Sequence, residues 1–553
     1  GFVVFQDDIP RFTATYRKAS VYSIWRSENP KFLFAYTKET QTEEYFQDFL
    51  LKNAPNIVVI ESEYRNSSQF YIKVNKFVGS LFKNPHELLE ISKFDALTRT
   101  FEPNVSLYPR NKLQNLHGRE VIVGAFDYRP FIVVEYNRTP EYYDHAEDNP
   151  RHLAHIDGTE MRILHTFCEL YNCSVQMDTT EKEEWGFVYP NYTADGQLGR
   201  LIDGKIHMAM GAMFLWYSAY KSIDQTTFLG RSGVTCLVPA PTRKTRWTLP
   251  ITPFQYTLWL GVMFCLCWET LALFVARMFE ERIVAHRENL SKWSSIQFAY
   301  TTTLKLFISQ SSRYKVISHT VRTILFACYM IDIIVTSIYA GGLSAILTLA
   351  DLDEAADSVE RLYSHNLTWT GTSYAWLTSI ADEGENNPLF RRLLDNFRIS
   401  NMDEMRRKAK TENMGFVLER MAFGHFGNSH FITPEALQHL KLMVDDIYYS
   451  YTVAMVPRMW PHLPKYNDFI LAWHSSGLSK YWEWKIVAQY MKGSDQDQVQ
   501  ASMYSSADTG AVPLDIDNFA GLIVIWIVGI LLSIVAFIGE WLCYWLNKKY
   551  MKA

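Results

Sequence analysis

The sequence has few cysteines and no concentrated run of basic residues. Seven Cys occur in 553 residues, and the formal net charge is −5. Nucleic-acid binding generally depends on a concentrated positive surface, so no nucleic-acid partner is expected. Four of the Cys lie in apolar stretches, where they behave as small hydrophobes. The other three, Cys168, Cys173 and Cys236, permit at most one internal disulfide.

Catalytic and cofactor signatures are also lacking. The sequence contains no recognisable Ser/His/Asp arrangement, carboxylate pair or metal-ligand spacing, so neither an enzyme nor a cofactor is predicted. His425 and His430 are close in sequence, but the lack of a third ligand favours surface histidines. The first residues, Gly1–Asp8, do not resemble a signal peptide and suggest a fragment or a processed chain.

Three apolar segments are long enough to cross a membrane: Phe254–Ala276, Ile324–Leu349 and Phe519–Leu546. A spanning helix needs about 20 such residues. Glu269 and Asp332 lie within two of these segments, and buried acidic groups in a span are candidates for function. Inward-facing pairing with a hydroxyl group or water is the interpretation that we prefer for both.

A fourth segment, residues 293–312, is only moderately apolar and is rich in Ser and Thr. Such backbone is tolerated at membrane depth beside protein or a water-filled cavity, so a re-entrant pore loop is predicted. Basic residues flank this loop and follow the last span: Arg277, Arg282, Arg287, Lys292, Arg313, Lys315, Lys548, Lys549 and Lys552. By the positive-inside rule these ends are cytoplasmic, which places residues up to about 250 and roughly 352–512 outside the cell.

Potential glycosylation sites agree with this orientation. Six sequons lie in the predicted outer segments, at Asn66, Asn104, Asn137, Asn172, Asn191 and Asn366. A further sequon at Asn289 falls on the predicted cytoplasmic side and is expected to stay unmodified.

The outer segments alternate between strand and helix patterns, which is typical of an α/β fold. Strands are predicted at Val121–Phe126, Ile206–Met210 and Tyr451–Val456, and helices at Thr159–Leu170, Leu389–Phe397, Met402–Lys410 and Asn467–Ser475. Neither outer half needs to fold alone. Together they predict a two-lobed α/β clamp with a cleft, like that of periplasmic solute-binding proteins, joined to an all-α pore domain.

This interpretation divides the chain into five parts. Residues 1–115 form a partial α/β amino-terminal region, and residues 116–250 form the first half of the clamp. Residues 251–350 hold two spanning helices and the pore loop, at about 293–312. The second half of the clamp is 351–512, and 513–553 are the last span and a short cytoplasmic tail.

Motifs within this arrangement resemble the ionotropic glutamate receptors, and in particular their arthropod offshoot, the chemosensory ionotropic receptors. Asp195–Leu201 (DGQLGRL) is similar to the family's N-G-x-x-G-x-L turn, and Gly204–Ala209 (GKIHMA) follows as its G-x-x-D-I-A strand. Ser337–Thr348 (SIYAGGLSAILT) resembles the S-Y-T-A-N-L-A-A-F-L-T gating signature. The resemblance covers about residues 118–546 and implies a ligand-gated, non-selective cation channel for chemosensation.

The resemblance implies roles for two groups of membrane residues. Ala340, Ser344 and Thr348 share one helix face and are predicted to form the gate, with ordinary small-residue packing as the alternative. Phe307–Ser311 (FISQS) corresponds to the family's F-M-Q-Q-G, which places Lys305, Ser309 and Gln310 in the pore loop. Lys305 replaces a family Gly; it either influences ion permeation or extends to the cytoplasmic edge.

The family's ligand residues are only partly matched. Ala219 stands at the position of the Arg that binds an amino acid's carboxylate, and Phe214 stands at a nearby Thr, so glutamate is not the expected agonist. The same register predicts that arginine at position 219 would restore a response to amino acids. In the second half, Glu419 matches the family's acidic residue. The predicted aromatic cleft comprises Phe214, Trp216, Tyr374 and Trp376, and with Glu419 it favours an amine through cation–π and charge interactions. The alternative is that Glu419 only bridges the lobes and that the aromatics are core.

Residues 1–115 are too few for a full glutamate-receptor amino-terminal domain, which implies a tuning subunit that assembles with co-receptor subunits in a heterotetramer. The resemblance implies a multi-pass protein of the plasma membrane, in dendrites or cilia of sensory neurons for smell or taste. Its amino terminus would be extracellular and its carboxyl terminus cytoplasmic. The alternatives are a conventional glutamate-gated subunit, disfavoured by Ala219, and a receptor that binds without conducting, which Lys305 leaves open.

Overall fold

The structure is a computed structural model. It describes residues 1–22, 30–37, 51, 54–64, 66–81, 87–108, 112–180, 184–189, 191, 193–241, 248–283, 292–311, 316–348, 353–384, 386–427, 430–504 and 519–550. The chain forms two compact units. The clamp unit contains Gly1–Ala240 and Ala355–Ser505, and the helical unit contains Pro241–Glu354 and Ser506–Ala553.

The amino-terminal region contains a six-stranded sheet, a short 3₁₀ helix at Gln6–Asp8 and a 14-residue α-helix. Its elements are β1 (Phe2–Phe5), α1 (Ile9–Tyr22), β2 (Phe32–Thr37), β3 (Ile57–Ser62), β4 (Gln69–Asn75), β5 (Leu88–Asp95) and β6 (Thr100–Glu102). The strands lie in sequence order across the sheet, with the first three parallel and the rest antiparallel. Phe32, Phe34, Ile57 and Val59 are buried on one face and form a small core of their own.

The first half of the clamp follows directly. Its elements are β7 (Arg119–Gly124), β8 (Val133–Glu135), β9 (Tyr142–Tyr143), β10 (Leu153–Asp157), α2 (Thr159–Tyr171), β11 (Cys173–Asp178), α3 (Gly196–Ile202), β12 (Met208–Ala209), α4 (Tyr217–Tyr220), β13 (Asp224–Gln225) and β14 (Gly230–Pro239). A disulfide joins Cys168 to Cys173 and links the end of α2 to the start of β11, while Cys236 is buried and reduced.

The helical unit and the second half of the clamp complete the chain. The helical unit has α5 (Tyr256–Ile283), α6 (Lys292–Phe307) and α7 (His319–Thr348). The clamp resumes with α8 (Val359–Ser364), β15 (Trp369–Gly371), α9 (Thr378–Gly384), α10 (Pro388–Asp395), β16 (Phe397–Ile399), α11 (Met402–Lys408), β17 (Gly415–Met421), β18 (Phe426–Gly427), α12 (Pro434–Leu437), β19 (Leu440–Leu442), β20 (Tyr448–Thr452), β21 (Met455–Val456), α13 (Leu463–Ser475), α14 (Leu478–Tyr490) and α15 (Gly493–Ser502). The last helix, α16 (Ala520–Tyr550), belongs to the helical unit.

Each lobe of the clamp takes strands from both halves of the chain. In the first lobe the strand order is β11-β7-β12-β21-β13, so β21 from the second half lies between two strands of the first. In the second lobe β14 from the first half pairs antiparallel with β17 from the second, from Ser232↔Met421 to Leu237↔Phe416. Neither half therefore contains the complete main sheet of either lobe. The predicted fold class, a two-lobed α/β clamp with a helical pore domain, is confirmed.

One predicted strand is divided between the lobes. The expectation of a single strand at Tyr451–Val456 is wrong, because β20 ends at Thr452 and pairs with β14 in the second lobe. The chain then passes to the first lobe, where β21 pairs with β12 and β13. The side chains of residues 452–456 are all buried, so the hydrophobic pattern contains no sign of this crossing.

In the described part of the helical unit, three helices are long and apolar enough to span a membrane: Tyr256–Glu280, His319–Thr348 and Ala520–Leu546. They coincide with the three predicted spans, and the chain is a multi-pass membrane protein. The predicted pore loop begins as α6, which has 16 residues and is followed by a turn in which Ser309 has a positive φ of 56°. Within this unit the Tyr339 hydroxyl donates to the Pro250 carbonyl at 2.8 Å.

Candidate ligand cleft and pore

Aromatic rings from both lobes meet in the cleft. Tyr128 follows β7, and its ring lies 5.0 Å from that of Trp185, measured between centroids. Trp376 belongs to the second lobe, and its ring lies 5.6 Å from Trp185 and 6.4 Å from Tyr128. All three side chains are buried. Their edge-to-face and tilted arrangement stabilises contact between the lobes.

A buried carboxylate lies beside these rings. Glu419 is in the middle of β17 and is 1% exposed, and its Oε2 accepts a short hydrogen bond from the Tyr128 hydroxyl. Burial raises the pKa of the Glu419 carboxyl to about 8, against the opposing effect of the Tyr128 hydrogen bond. Tyr128 and Glu419 are 291 positions apart in sequence and belong to different lobes. The predicted lobe-bridging contact of Glu419 is therefore present, and its partner is a tyrosine.

A second polar contact joins the lobes. Glu184 lies next to Trp185, and its Oε2 accepts a hydrogen bond from the Thr372 hydroxyl at 2.9 Å. The Thr372 oxygen in turn accepts from the indole nitrogen of Trp376 at 3.4 Å. Burial also raises the pKa of Glu184. The cleft thus contains carboxyl groups from both lobes, each bonded to a hydroxyl group of the other lobe.

The structure brings together four of the six predicted ligand residues. Phe214, Trp216, Trp376 and Glu419 line a cavity of only about 10 Å³, together with Trp185, Ala212 and Ala375. Ala219 is buried in α4 and is not among the described residues that line this cavity. Tyr374 does not reach it either: the side chain is 67% exposed and its ring lies 6.5 Å from that of Phe397. Tyr374 precedes Trp376 by two positions in a 3₁₀ helix, so the two side chains point in different directions.

Glu160 supports the loop that leads to Phe214. It lies in the first turn of α2, is 3% exposed, and accepts hydrogen bonds from the backbone N–H groups of Gly211 at 2.9 Å and Ala212 at 3.2 Å. Burial raises the pKa of Glu160 to about 7, and these two hydrogen bonds act in the opposite direction. The sequence contained a signal for this residue, since Glu160 shares the apolar face of α2 with Leu164 and Phe167.

The two buried carboxyls predict how the stability of the clamp depends on pH. In the unfolded chain a Glu carboxyl has a pKa of about 4.3, whereas the folded values are about 8 for Glu419 and about 7 for Glu160. The folded state therefore retains protons that the unfolded state loses, and this contribution to stability decreases as pH rises from about 4.3 to about 8. We expect a lower unfolding temperature at pH 8.5 than at pH 6.

Thermal unfolding of the purified chain and of the Glu419→Gln variant at both pH values tests this. The variant should show a smaller decrease between pH 6 and pH 8.5, because its amide does not titrate. The exposed Glu412→Gln variant is the control and should show the full decrease. An equal decrease in all three proteins would contradict the assignment to Glu419.

The predicted gate residues lie on one exposed face of α7. Ala340, Ser344 and Thr348 are all exposed in the single chain, and the Thr348 hydroxyl donates to the Ser344 carbonyl at 2.9 Å. In the pore segment Lys305, Ser309 and Gln310 are exposed, and the Gln310 N–H donates to the Lys305 carbonyl at 2.7 Å. Both groups are therefore accessible to neighbouring subunits or to water. Their roles remain predictions.

The six predicted glycosylation sites are all exposed: Asn66, Asn104, Asn137, Asn172, Asn191 and Asn366. Three of them, Asn137, Asn172 and Asn366, have left-handed backbone conformations, with φ of 65°, 54° and 51°. Exposure makes these side chains accessible to modification, and their occupancy remains a prediction.

The fold and the cleft together define a class of protein. A two-lobed clamp with a buried cleft, whose two halves are separated in sequence by spanning helices, is the arrangement of a ligand-gated ion channel subunit. The model of the Ligand-gated ion channel family matches residues 255–530, about half of the chain. The chain belongs to this family, which is a family of channels and not of enzymes.

A similarity to an insect protein supports the motif analysis. The chain is 21% identical over 524 residues to Ionotropic receptor 21a of Anopheles gambiae, an alignment that covers 89% of this chain and 50% of that protein. The chain thus spans about half the length of the curated relative that it matches. The resemblance to ionotropic receptors predicted from the motifs is confirmed.

Proposed function

We propose that this chain is the tuning subunit of a ligand-gated, non-selective cation channel for chemosensation. The observation that carries the proposal is the cleft, in which an aromatic cluster surrounds the buried Glu419. The alignment to the family motifs, which puts Ala219 at the position of the carboxylate-binding Arg, supports the same interpretation. An amine agonist fits these groups better than glutamate does, because a carboxylate and aromatic faces both attract a cation. The name of the similar mosquito protein, an ionotropic receptor, supports the family role.

The pairing of strands supports the proposed membrane topology. Since β14 and β17 share one sheet, residues 239 and 415 lie on the same side of the membrane. The chain must then cross an even number of times between them. Crossing by α5 and α7, with α6 re-entering from the cytoplasm, meets this condition and agrees with the positive-inside rule. The clamp and the amino terminus would be extracellular and the carboxyl terminus cytoplasmic, in the dendrites or cilia of sensory neurons.

In this proposal the clamp responds to the ligand by changing the separation of its lobes, and the change is transmitted to α7. The exposed face of Ala340, Ser344 and Thr348 would then separate from its counterparts in the other subunits of a heterotetramer with co-receptors. Ser309 and Gln310 would present oxygen atoms to the permeating cation.

Whole-cell recording tests this proposal. Cells would express the chain with and without a broadly acting co-receptor of the family, and panels of amines, acids and neutral odorants would be applied. We expect amine-evoked cation current only when the co-receptor is present. Silence with every panel, despite confirmed surface expression and assembly, would instead favour a receptor that binds without conducting. The exposed Lys305 in the pore segment is the observation that favours this second candidate, because a cation near the ion path opposes cation entry.

A further inference from the structure

Two buried polar atoms on residues that line the cleft have no hydrogen-bond partner among the described residues. One is Oε1 of Glu419, an acceptor, and the other is Nε1 of Trp216, a donor. The nearby Ser232 hydroxyl lowers the pKa of Glu419, but its hydrogen bond goes to the Arg420 carbonyl, at 3.4 Å. Both side chains are at least nine-tenths buried, at 1% and 5% exposure, and both line the same cavity. Buried polar atoms are nearly always paired, so an unpaired donor and an unpaired acceptor in one cavity indicate a missing ligand or water.

The other oxygen of Glu419 is occupied by a group of the protein itself. The Tyr128 hydroxyl donates to Oε2 from the opposite lobe. The ammonium group of a ligand would likewise donate a hydrogen bond to Glu419. The rings of Trp185 and Trp376 lie beside the Tyr128 ring and enclose this contact. The remaining cavity of about 10 Å³ holds one water molecule at most, so an organic ligand needs the lobes to separate. An ammonium group that binds Glu419 then competes with the Tyr128 hydroxyl.

The chemistry of the cavity restricts what such a ligand can be. An ammonium group forms a hydrogen bond with the Glu419 carboxylate in which both partners are charged, and this bond is stronger than the one from the uncharged Tyr128 hydroxyl. At Trp216 the site offers a neutral N–H, and the lining side chains include no cation among the described residues. A ligand carboxylate would lose its hydration there without gaining a charged partner. A neutral carbonyl or ether oxygen loses less hydration free energy on entering the cavity.

We propose that the cleft selects small protonated amines that carry a neutral hydrogen-bond acceptor, with Glu419 binding the ammonium group, Trp216 donating to the acceptor, and Tyr128 as an internal competitor. This inference rests on the proposed function, because it assigns the ligand class of the same cleft. Tyr128 and Trp216 are the residues that determine specificity.

The first experiment needs no variant. Thermal unfolding of the full chain, purified in detergent at pH 8.5, is followed with β-alaninamide, β-alanine and n-butylamine. The three probes share a primary amine; the first adds a neutral amide, the second a carboxylate at the same place, and the third only carbon. We expect β-alaninamide to stabilise the chain at a concentration about tenfold lower than either of the others. Equal or better stabilisation by β-alanine, or no stabilisation by any probe, would overturn the inference.

Two variants then test the named residues. Tyr128→Phe keeps the ring and removes the competing hydroxyl, so the half-maximal concentration of β-alaninamide should fall about tenfold. Trp216→Phe keeps an aromatic ring and removes the donor, so the preference for β-alaninamide over n-butylamine should disappear. Tyr136→Phe is the control, since this tyrosine is half exposed and outside the cavity, and it should behave as the unmodified chain does.

The two proposals fail in different ways. Stabilisation by β-alaninamide without any evoked current would support the ligand class and contradict the channel function. Amine-evoked current whose concentration dependence is the same in Tyr128→Phe, Trp216→Phe and the unmodified chain would support the channel and overturn the roles of both residues.

Discussion

Replacing Ala219 with arginine is expected to unfold the first lobe and not to create an amino-acid site. The Ala219 side chain is fully buried in α4 and packs in the core that both lobes share. An arginine there would add volume to a packed core and bury a charge without a partner, at a cost of about 4 kcal/mol or more. Chemical denaturation of the purified variant, with surface expression in cells, measures the loss.

The control is Tyr217→Arg, which introduces the same side chain two residues away on the same helix. Tyr217 is 69% exposed, so this change should alter the free energy of unfolding by less than about 1 kcal/mol. If Ala219→Arg folded as stably as Tyr217→Arg and responded to amino acids, the alignment of Ala219 with the family's carboxylate-binding Arg would be supported. The argument from burial would then be wrong.

Removing the carboxylate of Glu160 is expected to have the second-largest effect. Glu160→Ala leaves the N–H groups of Gly211 and Ala212 without their acceptor in a buried loop, which costs about 2–4 kcal/mol. Because this loop continues to Phe214 and Trp216, the variant should also lose amine binding. Unfolding by denaturant and amine-dependent thermal stabilisation measure the two effects separately.

Glu169→Ala is the matched control, since Glu169 is an exposed residue of the same helix. It should leave both measurements unchanged. Glu160→Gln retains one acceptor oxygen and should recover part of the stability. If Glu160→Ala were as stable as Glu169→Ala, the carboxylate would not be needed to hold the loop.

The sequence predicted those features of the fold that depend on local patterns. The spans could be predicted because a run of about 20 consecutive apolar residues rarely occurs outside membrane-spanning helices. Helices such as α2 were visible because their apolar residues recur at helical spacing. The boundary between β20 and β21 was not visible, because the chain passes from one lobe to the other without any polar residue or turn signal that would end a strand.

The cleft was only partly predictable for a different reason. Phe214, Trp216, Trp376 and Glu419 were identified through the register of the family motifs, and the structure places them together. Tyr128 was missed because its partner is 291 positions away, and no local pattern distinguishes it from an ordinary surface tyrosine. Tyr374 was included because it is aromatic. The direction of its side chain depends on the 3₁₀ helix and could not be predicted from the sequence.

The exchange of strands between the two halves also determines how the protein can be made. When the ribosome has completed β14, this strand lacks β17, and β12 and β13 lack β21 between them. At about 5–20 residues per second, the missing strands follow only about 10–40 seconds later, after both α5 and α7 have been synthesised. During that interval the first half exposes unpaired strand edges, which are prone to aggregation. In the proposed orientation these edges lie in the lumen during that interval, and a chain terminated before β17 leaves both lobes incomplete.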